Sequence, residues 1–472
     1  MSCLMKGMII VTFALVVYVM FVSLFYLSQH LTLNAIGQKN FYPLPAKSPP
    51  VKKQSSIFWE GTTLKHIPAT HQIFVENATS SNFIKSKISD HTNDDKVAEE
   101  SRLKAALEKA TERYDIIVWD APFGSKWIPN NIITSKCGNC QFSYDRSKIN
   151  DLSTKAVIFH FNEARISRMP KQRRTDQYYI WFTWESPVTL GTLRGLTLKE
   201  FDDVFNLTMT YRRDSDLYFP YETTRSISQT IHNQDWGNPH KHLDELIKGK
   251  RKVALWVVGN CGSTPGARAR MKYSEQLVKA GLDLDRRGGC FPNAPKILPK
   301  YKRITDTWID FLRPYKFYMA FENAFSCNDY ITEKFFQNSL TRGLVPVVLG
   351  AKKSDYEAVS PNHSFIYADD FENAEKLVEY LRYLDGNDTA YREYLAWRTH
   401  DTEEMPYHGR AVGLCQLCRI LHGINVDNKY DENFEEKYSE IPLYGHPKKP
   451  RIVHSLRNWF YGNEDKKCIS NY

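Results

Sequence analysis

Apolar and polar positions along the 472-residue chain change pattern several times. Met8 to Leu27 is an almost unbroken apolar run, long enough for one helix to span a bilayer. From Ser28 to about Lys96 the chain is rich in Pro, Ser, Asn and Lys and holds no sustained period, as an extended stem does. Lys96 to Arg113 then takes a helical period, with Val97, Leu103, Leu107 and Ala110 on one face. Such a seam could pair two stems into a homodimer, or lie on the body that follows. From Tyr114 to about Ile424 short apolar runs of strand length alternate with helical stretches, and beyond that the chain is polar, with a basic segment at Lys448 to Arg451.

Within the body, strands are expected at Asp115–Trp119, Ala156–Phe161, Tyr178–Trp184 and Val204–Tyr211. A second series opens at Lys252–Gly259. It continues with a helix over Arg270–Ala280, a strand near Leu282–Leu284 and a helix over Thr305–Leu312. Next come strands at Phe317–Phe321 and Val345–Leu349 around a helix at Ile331–Leu340, then Phe365–Ala368 and helices at Asn373–Leu384 and Thr389–Arg398. Two successive α/β units joined near Asp235–Lys250 predict two Rossmann-like domains facing a cleft. The expected division is a tail at 1–7, a membrane anchor at 8–27, a stem at 28–113, domains at 114–245 and 246–424, and an extension at 425–472.

The most informative stretch is Phe317 to Gly350. A right-handed βαβ crossover brings strand carboxyl ends and helix amino ends to one sheet edge, where Glu322, Asn323, Tyr330, Thr332, Glu333 and Lys334 would gather. Free N–H groups, a positive helix dipole and a lysine charge there suit a phosphate-bearing ligand. Within this stretch, Phe321-Glu322-Asn323, Tyr330 to Lys334 (YITEK) and Arg342 to Gly350 (RGLVPVVLG) resemble the signature of the α1,3-fucosyltransferases, Golgi enzymes that move fucose from GDP-fucose to glycans. The resemblance extends over roughly Tyr114 to Ile424 and implies a GT-B fold and transfer with inversion.

It also implies roles for particular residues. Asn323, Tyr330, Glu333 and Lys334 would contact the donor, with Glu322 either beside them or structural. Of the two arginines after Asn260-Cys261-Gly262, Arg270 aligns better by its spacing to Leu277 and Arg268 is the alternative; one of them would grip the diphosphate with its guanidinium fork. Glu185, in Trp184-Glu185-Ser186-Pro187, would be the general base, its acidity tuned by the aromatic residues around it. The run from Val157 to Glu163 falls where the family recognises acceptor, which marks His160 and Asn162; Phe161-Asn162 departs from the paired histidines or tryptophan of vertebrate relatives. The segment Tyr211 to Asp216 (YRRDSD) matches a family motif and is expected to be a turn with Arg213 facing the cleft on the acceptor side. Its Asp214 and Asp216 could hold a divalent metal, but a structural turn is the preferred reading. No cofactor is required on this reading, although Mn2+ or Mg2+ could stimulate. Asn260-Cys261-Gly262 leans toward the enzymes of plants and invertebrates that modify the innermost GlcNAc of N-glycans. Lewis or LacdiNAc acceptors, another nucleotide sugar, or a silent glycan-binding role are the alternatives.

A net charge of +9 spread along the chain favours an anionic ligand over nucleic acid. Of nine cysteines, Cys3 precedes the anchor; Cys137, Cys140, Cys261, Cys290, Cys327, Cys415, Cys418 and Cys468 follow it, an even number suited to an oxidising lumen. The family resemblance implies that Cys137 and Cys140 bridge to Cys415 and Cys418, with zinc held by the two CxxC pairs as the less favoured reading. Asn77, Asn206, Asn362 and Asn387 begin glycosylation sequons. The expectation is a single-pass type II Golgi membrane protein with its catalytic body in the lumen.

Overall fold

The computed structural model describes residues 111–462, except 127, 130, 194, 233–238, 298–305, 400–410 and 424–451, and in addition Cys468. The expected anchor, stem and stem helix, and Asn77, lie outside the described residues. Among the described residues no helix is long and apolar enough to cross a membrane.

Two wholly parallel sheets form the body. The first takes β1 (Tyr114–Val118), β2 (Cys140–Ser143), β3 (Thr154–His160), β4 (Tyr178–Thr183), β5 (Leu207–Thr210) and β6 (Leu217–Tyr218) in the order β2-β1-β3-β4-β5-β6. The second takes β7 (Lys252–Val257), β8 (Leu284–Arg287), β9 (Tyr315–Phe321), β10 (Val345–Leu349) and β11 (Ile366–Tyr367) in the order β8-β7-β9-β10-β11. Both therefore begin with the second strand outside the first and reverse direction between the first and third. The two edge strands β2 and β6 escaped the sequence reading because they are short and carry few apolar positions.

Side-chain alternation explains how both faces of the first sheet are buried. Ile116, Val118, Ile158, Ile180 and Phe182 form one core with Leu414 and Leu417, and Ile117, Val157, Phe159, Tyr179 and Trp181 form another with Leu456 and Phe460. The covering side chains come from two late helices, Val412–Leu421 and Leu456–Tyr461. The first of these lies inside the range expected for the second domain, yet it packs on the first sheet. Disulfides Cys137–Cys415 and Cys140–Cys418 fasten it there. Cys261 pairs with Cys290 and Cys327 with Cys468. The cluster of Cys140, Cys418 and His422 is the one among the described residues with metal-ligand spacing. Its thiols are joined in a disulfide, which removes the zinc reading.

Helices α1 (Thr224–His232) and α2 (Pro239–Lys248) lie between the sheets in sequence, so the expected joint is largely helical, and Leu243 and Ile247 of α2 enter the second core. Around the second sheet follow α3 (Pro265–Lys279), α4 (Asp306–Leu312), α5 (Lys353–Glu357), α6 (Ala374–Gly386) and α7 (Asp388–Glu393). The helix expected over Ile331–Leu340 is not regular. The Ser339 hydroxyl donates to the Lys334 and Phe335 carbonyls, competing with the backbone donors of an α-helix. The turn widens to five-residue steps, Asn338 N to Glu333 O at 2.8 Å and Thr341 N to Phe336 O at 2.9 Å. This lets the consecutive Phe335 and Phe336 both enter the core.

The expected glycan at Asn206 is also corrected. Asn206 is 3% exposed, and its amide oxygen accepts from Tyr179 N at 2.7 Å and from Arg173. Its amide is a fastening between β4 and β5 rather than a surface group. Asn362 is exposed, and Asn387 is half-buried with its side chain capping α7 at Ala390 N.

Candidate active site

Open α/β sheets bind ligands beyond the carboxyl ends of their strands, where strand order reverses. In the second sheet this point lies between β7 and β9. The helix that starts there is α3, whose Thr264 caps Ala267 N and is followed by Pro265. Thr264 Oγ1 also donates to the Asn323 carbonyl beyond β9. A Cβ on Gly266 would sit 2.7 Å from that same carbonyl oxygen, so glycine lets the helix amino end approach the β9 exit closely. The helix-terminus site expected at Ile331 is thus supplied by α3.

Glu322 is corrected from a donor contact to an internal support. It is fully buried, and its carboxylate accepts from Thr332 N at 2.9 Å, Thr332 Oγ1 at 2.8 Å and Lys334 Nζ at 2.9 Å. Lys334 also donates to Thr332 Oγ1 at 2.7 Å and lies 3.3 Å from Glu333. Burial pulls the Lys334 pKa down, but the charges of Glu322 and Glu333 outweigh it and hold the ammonium above its ordinary value. A charged lysine is thereby fixed at this edge with one partner, Glu333, still substantially exposed.

The two candidate arginines separate clearly. Arg270 is 2% exposed, donating to Phe321 O at 2.7 Å and Asn260 O at 2.9 Å, which ties β9 to the β7 loop. Burial lowers its pKa, opposed chiefly by Glu322. Arg268 is exposed and reaches back to Gly262 O at 2.8 Å. The accessible fork is therefore Arg268, not Arg270 as its spacing suggested; Arg270 is spent on two carbonyls and shapes the loop that presents its neighbour. Asn323 holds a buried side-chain oxygen with no hydrogen-bond partner, a ready acceptor for a ligand hydroxyl.

Tyr330 is buried with its ring edge-on to Tyr211 at 5.1 Å and Tyr221 at 6.5 Å, both from the first half. Burial pushes its phenol pKa far up, and the charges of Glu185, Glu322 and Glu333 add to this. Glu185 and the donor-edge carboxylates thus act on one phenol. Glu185 itself follows β4 in a half-buried turn, its N–H donating to Thr183 Oγ1 at 3.0 Å, while Ser186 Oγ accepts from Thr189 N at 3.2 Å. Trp184 fixes the turn through its indole N–H to Phe219 O and its own carbonyl to Tyr221 OH, each at 2.7 Å.

The first sheet reverses between β1 and β3, and the run from His160 to Glu163 leaves that point. His160 is 2% exposed, packed against Phe123 and Phe161, with Nδ1 bonded to Glu163. It supports the edge and is too buried to touch an acceptor as expected. Asn162, half-buried, donates to Glu163 Oε1 at 2.7 Å, and that oxygen also accepts from Phe123 N at 3.1 Å. Burial raises the Glu163 pKa, but the hydrogen bonds from His160 and Asn162 outweigh it and hold the carboxyl below its ordinary range.

The YRRDSD segment is corrected most. Arg213 does not open toward an acceptor; it is 6% exposed and ion-paired with Asp329 and Asp355 of the second half. Asp214 pairs with Arg212, and Asp216 accepts from Thr208 N and Oγ1, both at 2.8 Å. These carboxylates serve their own turn. Sequence reasoning missed Tyr221 and Asp329, which stand outside every motif, and passed over Glu163, the last residue of the acceptor run, in favour of His160 and Asn162. The Thr264-Pro265 pair, a helix-start signal, would have located α3 correctly.

Family models match at residues 111–222, described as fucosyltransferase, N-terminal, and at residues 247–437, described as glycosyltransferase family 10 (fucosyltransferase) C-term. A 4-galactosyl-N-acetylglucosaminide 3-alpha-L-fucosyltransferase FUT6 of Pan troglodytes is 33% identical over 317 residues, covering 64% of this chain and 77% of the relative. The glycoprotein 3-alpha-L-fucosyltransferase A of Drosophila melanogaster is 34% identical over 262 residues, covering 55% of this chain and 44% of that protein. A solved α1,3-fucosyltransferase with GDP-fucose is 17% identical with a TM-score of 0.42, covering 68% of this chain and 94% of that one.

Proposed function

The chain belongs to glycosyltransferase family 10, the fucosyltransferases, and on that premise we propose that it transfers fucose from GDP-fucose, in α1,3 linkage and with inversion, to GlcNAc of glycoprotein glycans. The observation that carries this reading is the run of contacts joining the Glu185 turn to the second half: Tyr221 OH donates to the carbonyl of Trp184, next to Glu185, and its ring packs on Tyr330, four residues before the charged Lys334.

In that reaction Glu185 takes the proton of the acceptor hydroxyl as its oxygen bonds to the anomeric carbon. The bond from that carbon to the phosphate oxygen breaks, and GDP departs with the electron pair. Lys334, the amino end of α3 and the Arg268 fork oppose the charge that develops on the diphosphate. Asn323 and Glu333 provide acceptors for sugar hydroxyls. Both halves then act as the two domains of a GT-B enzyme.

The innermost GlcNAc of N-glycans is the proposed acceptor, supported by Asn260-Cys261-Gly262; the insect relative, named a glycoprotein fucosyltransferase, supports a glycoprotein acceptor in general. A luminal Golgi setting is proposed from the apolar run at 8–27 and four disulfides in the body. The test is to incubate the full chain with GDP-fucose and a panel of N-glycan, lactosamine and LacdiNAc acceptors, reading linkage by mass spectrometry and NMR. Fucose on O3 of the innermost GlcNAc is expected. Transfer from another nucleotide sugar with none from GDP-fucose would overturn the donor, and product on antennae alone would overturn the acceptor.

A further inference from the structure

Most of the YRRDSD segment is bound within the first half. Arg212 pairs with Asp214 and donates to Trp459 O at 2.9 Å, Ser215 Oγ lies 2.6 Å from Thr210 Oγ1, and Asp216 holds Thr208. Tyr211 and Arg213 reach the other half, the tyrosine with its ring against Tyr330 and the arginine through ion pairs. Its backbone N–H donates to Asp329 Oδ2 at 2.9 Å, its Nε to Asp329 Oδ1 at 2.5 Å and its Nη2 to Asp355 Oδ1 at 2.9 Å. Asp329 N in turn donates to Asp355 Oδ2 at 3.3 Å. All three side chains are about nine-tenths buried.

The residue so gripped stands beside Tyr330, in the loop that begins at Asn323. Asp329 has φ of +58° and Ser326 has φ of +53°. Non-glycine residues keep this left-handed geometry where their surroundings hold it. Cys327, between them, is bonded to Cys468, which gives the loop a second anchor, and Ser326 N donates to Gly350 O at 2.7 Å.

We infer that Arg213 is a positioning residue for the donor loop: a guanidinium of the acceptor half sets Asp329, and through it Tyr330 and Asn323, in the geometry that receives the nucleotide sugar. Lysine cannot replace it, because a point charge lacks the planar fork that takes one aspartate through Nε and the other through Nη2. The inference rests on the proposed function, since it concerns GDP-fucose binding.

The experiment measures GDP binding to the full chain by calorimetry, with steady-state kinetics in both substrates and a melting temperature for every variant. Arg213→Lys should weaken GDP about tenfold and raise the GDP-fucose KM by a similar factor, leaving the acceptor KM within about twofold. Asp329→Asn, which keeps one of the two oxygen acceptors and loses the charge, should fall between wild type and Arg213→Lys. Asp355→Asn should retain more GDP affinity than Asp329→Asn, because Asp355 is one step further from Tyr330. Should Arg213→Lys fail to fold, the order of the two aspartate variants still decides the matter. A lowered melting temperature with unchanged GDP affinity in the variants would reduce Arg213 to a structural tie and overturn the inference alone. A wild-type chain that binds no GDP would overturn both it and the proposed function.

Discussion

The two reversal points of the molecule, built on the same strand order, are furnished in opposite ways. At the second sheet the charged groups are saturated by protein partners: Glu322 by Thr332 and Lys334, Arg270 by two carbonyls, and Asp329 and Asp355 by Arg213 of the first half. At the first sheet Glu185 stands in a half-buried turn framed by aromatic rings, and Glu163 is held by a histidine, an asparagine and one backbone N–H. A site for a diphosphate needs fixed charge, which internal partners pre-organise before the ligand arrives. A site that moves a proton needs a carboxylate whose charge is free to change. The same topology thus carries buried ion pairs at one edge and, at the other, carboxylates set among aromatic rings, an imidazole and amides.

The sharpest way to break this contrast is at Glu185. Glu185→Gln keeps the shape of the turn and removes the base, so kcat should fall by about 10²–10⁴-fold, the usual range for general-base catalysis. GDP affinity measured by calorimetry should stay within twofold. Undiminished kcat in the variant would transfer the base role elsewhere.

The next test strikes the saturated side. Lys334→Met leaves the Glu322 carboxylate buried without its cation, which should cost about 3–5 kcal/mol of stability. Adding Glu322→Gln should recover much of that loss in chemical denaturation, because an uncharged amide no longer needs the ammonium. The double variant should nonetheless bind GDP poorly, since the fixed cation is gone. If the double variant bound GDP as wild type does, Lys334 would be a structural partner of Glu322 and not a diphosphate ligand.

The fold was legible where periodicity is strong. Tyr178–Thr183 and Tyr315–Phe321 announce themselves as apolar runs, and both sheets followed from such strands alternating with helical stretches. What was not legible depended on competition or distance. Ile331–Leu340 has helical spacing, but a single hydroxyl, Ser339, and two adjacent phenylalanines turn it into a wider coil. Asn206 reads as a sequon, yet the pairing of β4 and β5 buries it. The roles proposed for Lys334 and Glu185 were marked by family motifs, whereas Arg213 was expected to face the acceptor and its ion pairs were not foreseen. Its partners lie 116 and 142 residues further along, and only the folded chain brings them together.

The smallest effect belongs to Glu163, and it bears on whether the first edge is as adjustable as the contrast requires. Its pKa is held below the ordinary carboxylate value of about 4.3. A group of that kind adds stability that is present above its unfolded pKa and is lost as pH falls through the depressed folded value. Wild type should therefore exceed Glu163→Gln by an amount on the order of 1 kcal/mol at neutral pH, and the gap should close below about pH 4 as the carboxyl takes up its proton. Melting temperatures of the two proteins from pH 3 to pH 7 read this directly. A gap that persists unchanged to pH 3 would mean that the neutral carboxyl serves His160 and Asn162 as well as the anion does. Glu163 would then belong with Glu322 among the structural carboxylates, leaving Glu185 as the carboxylate proposed for proton transfer at the first edge.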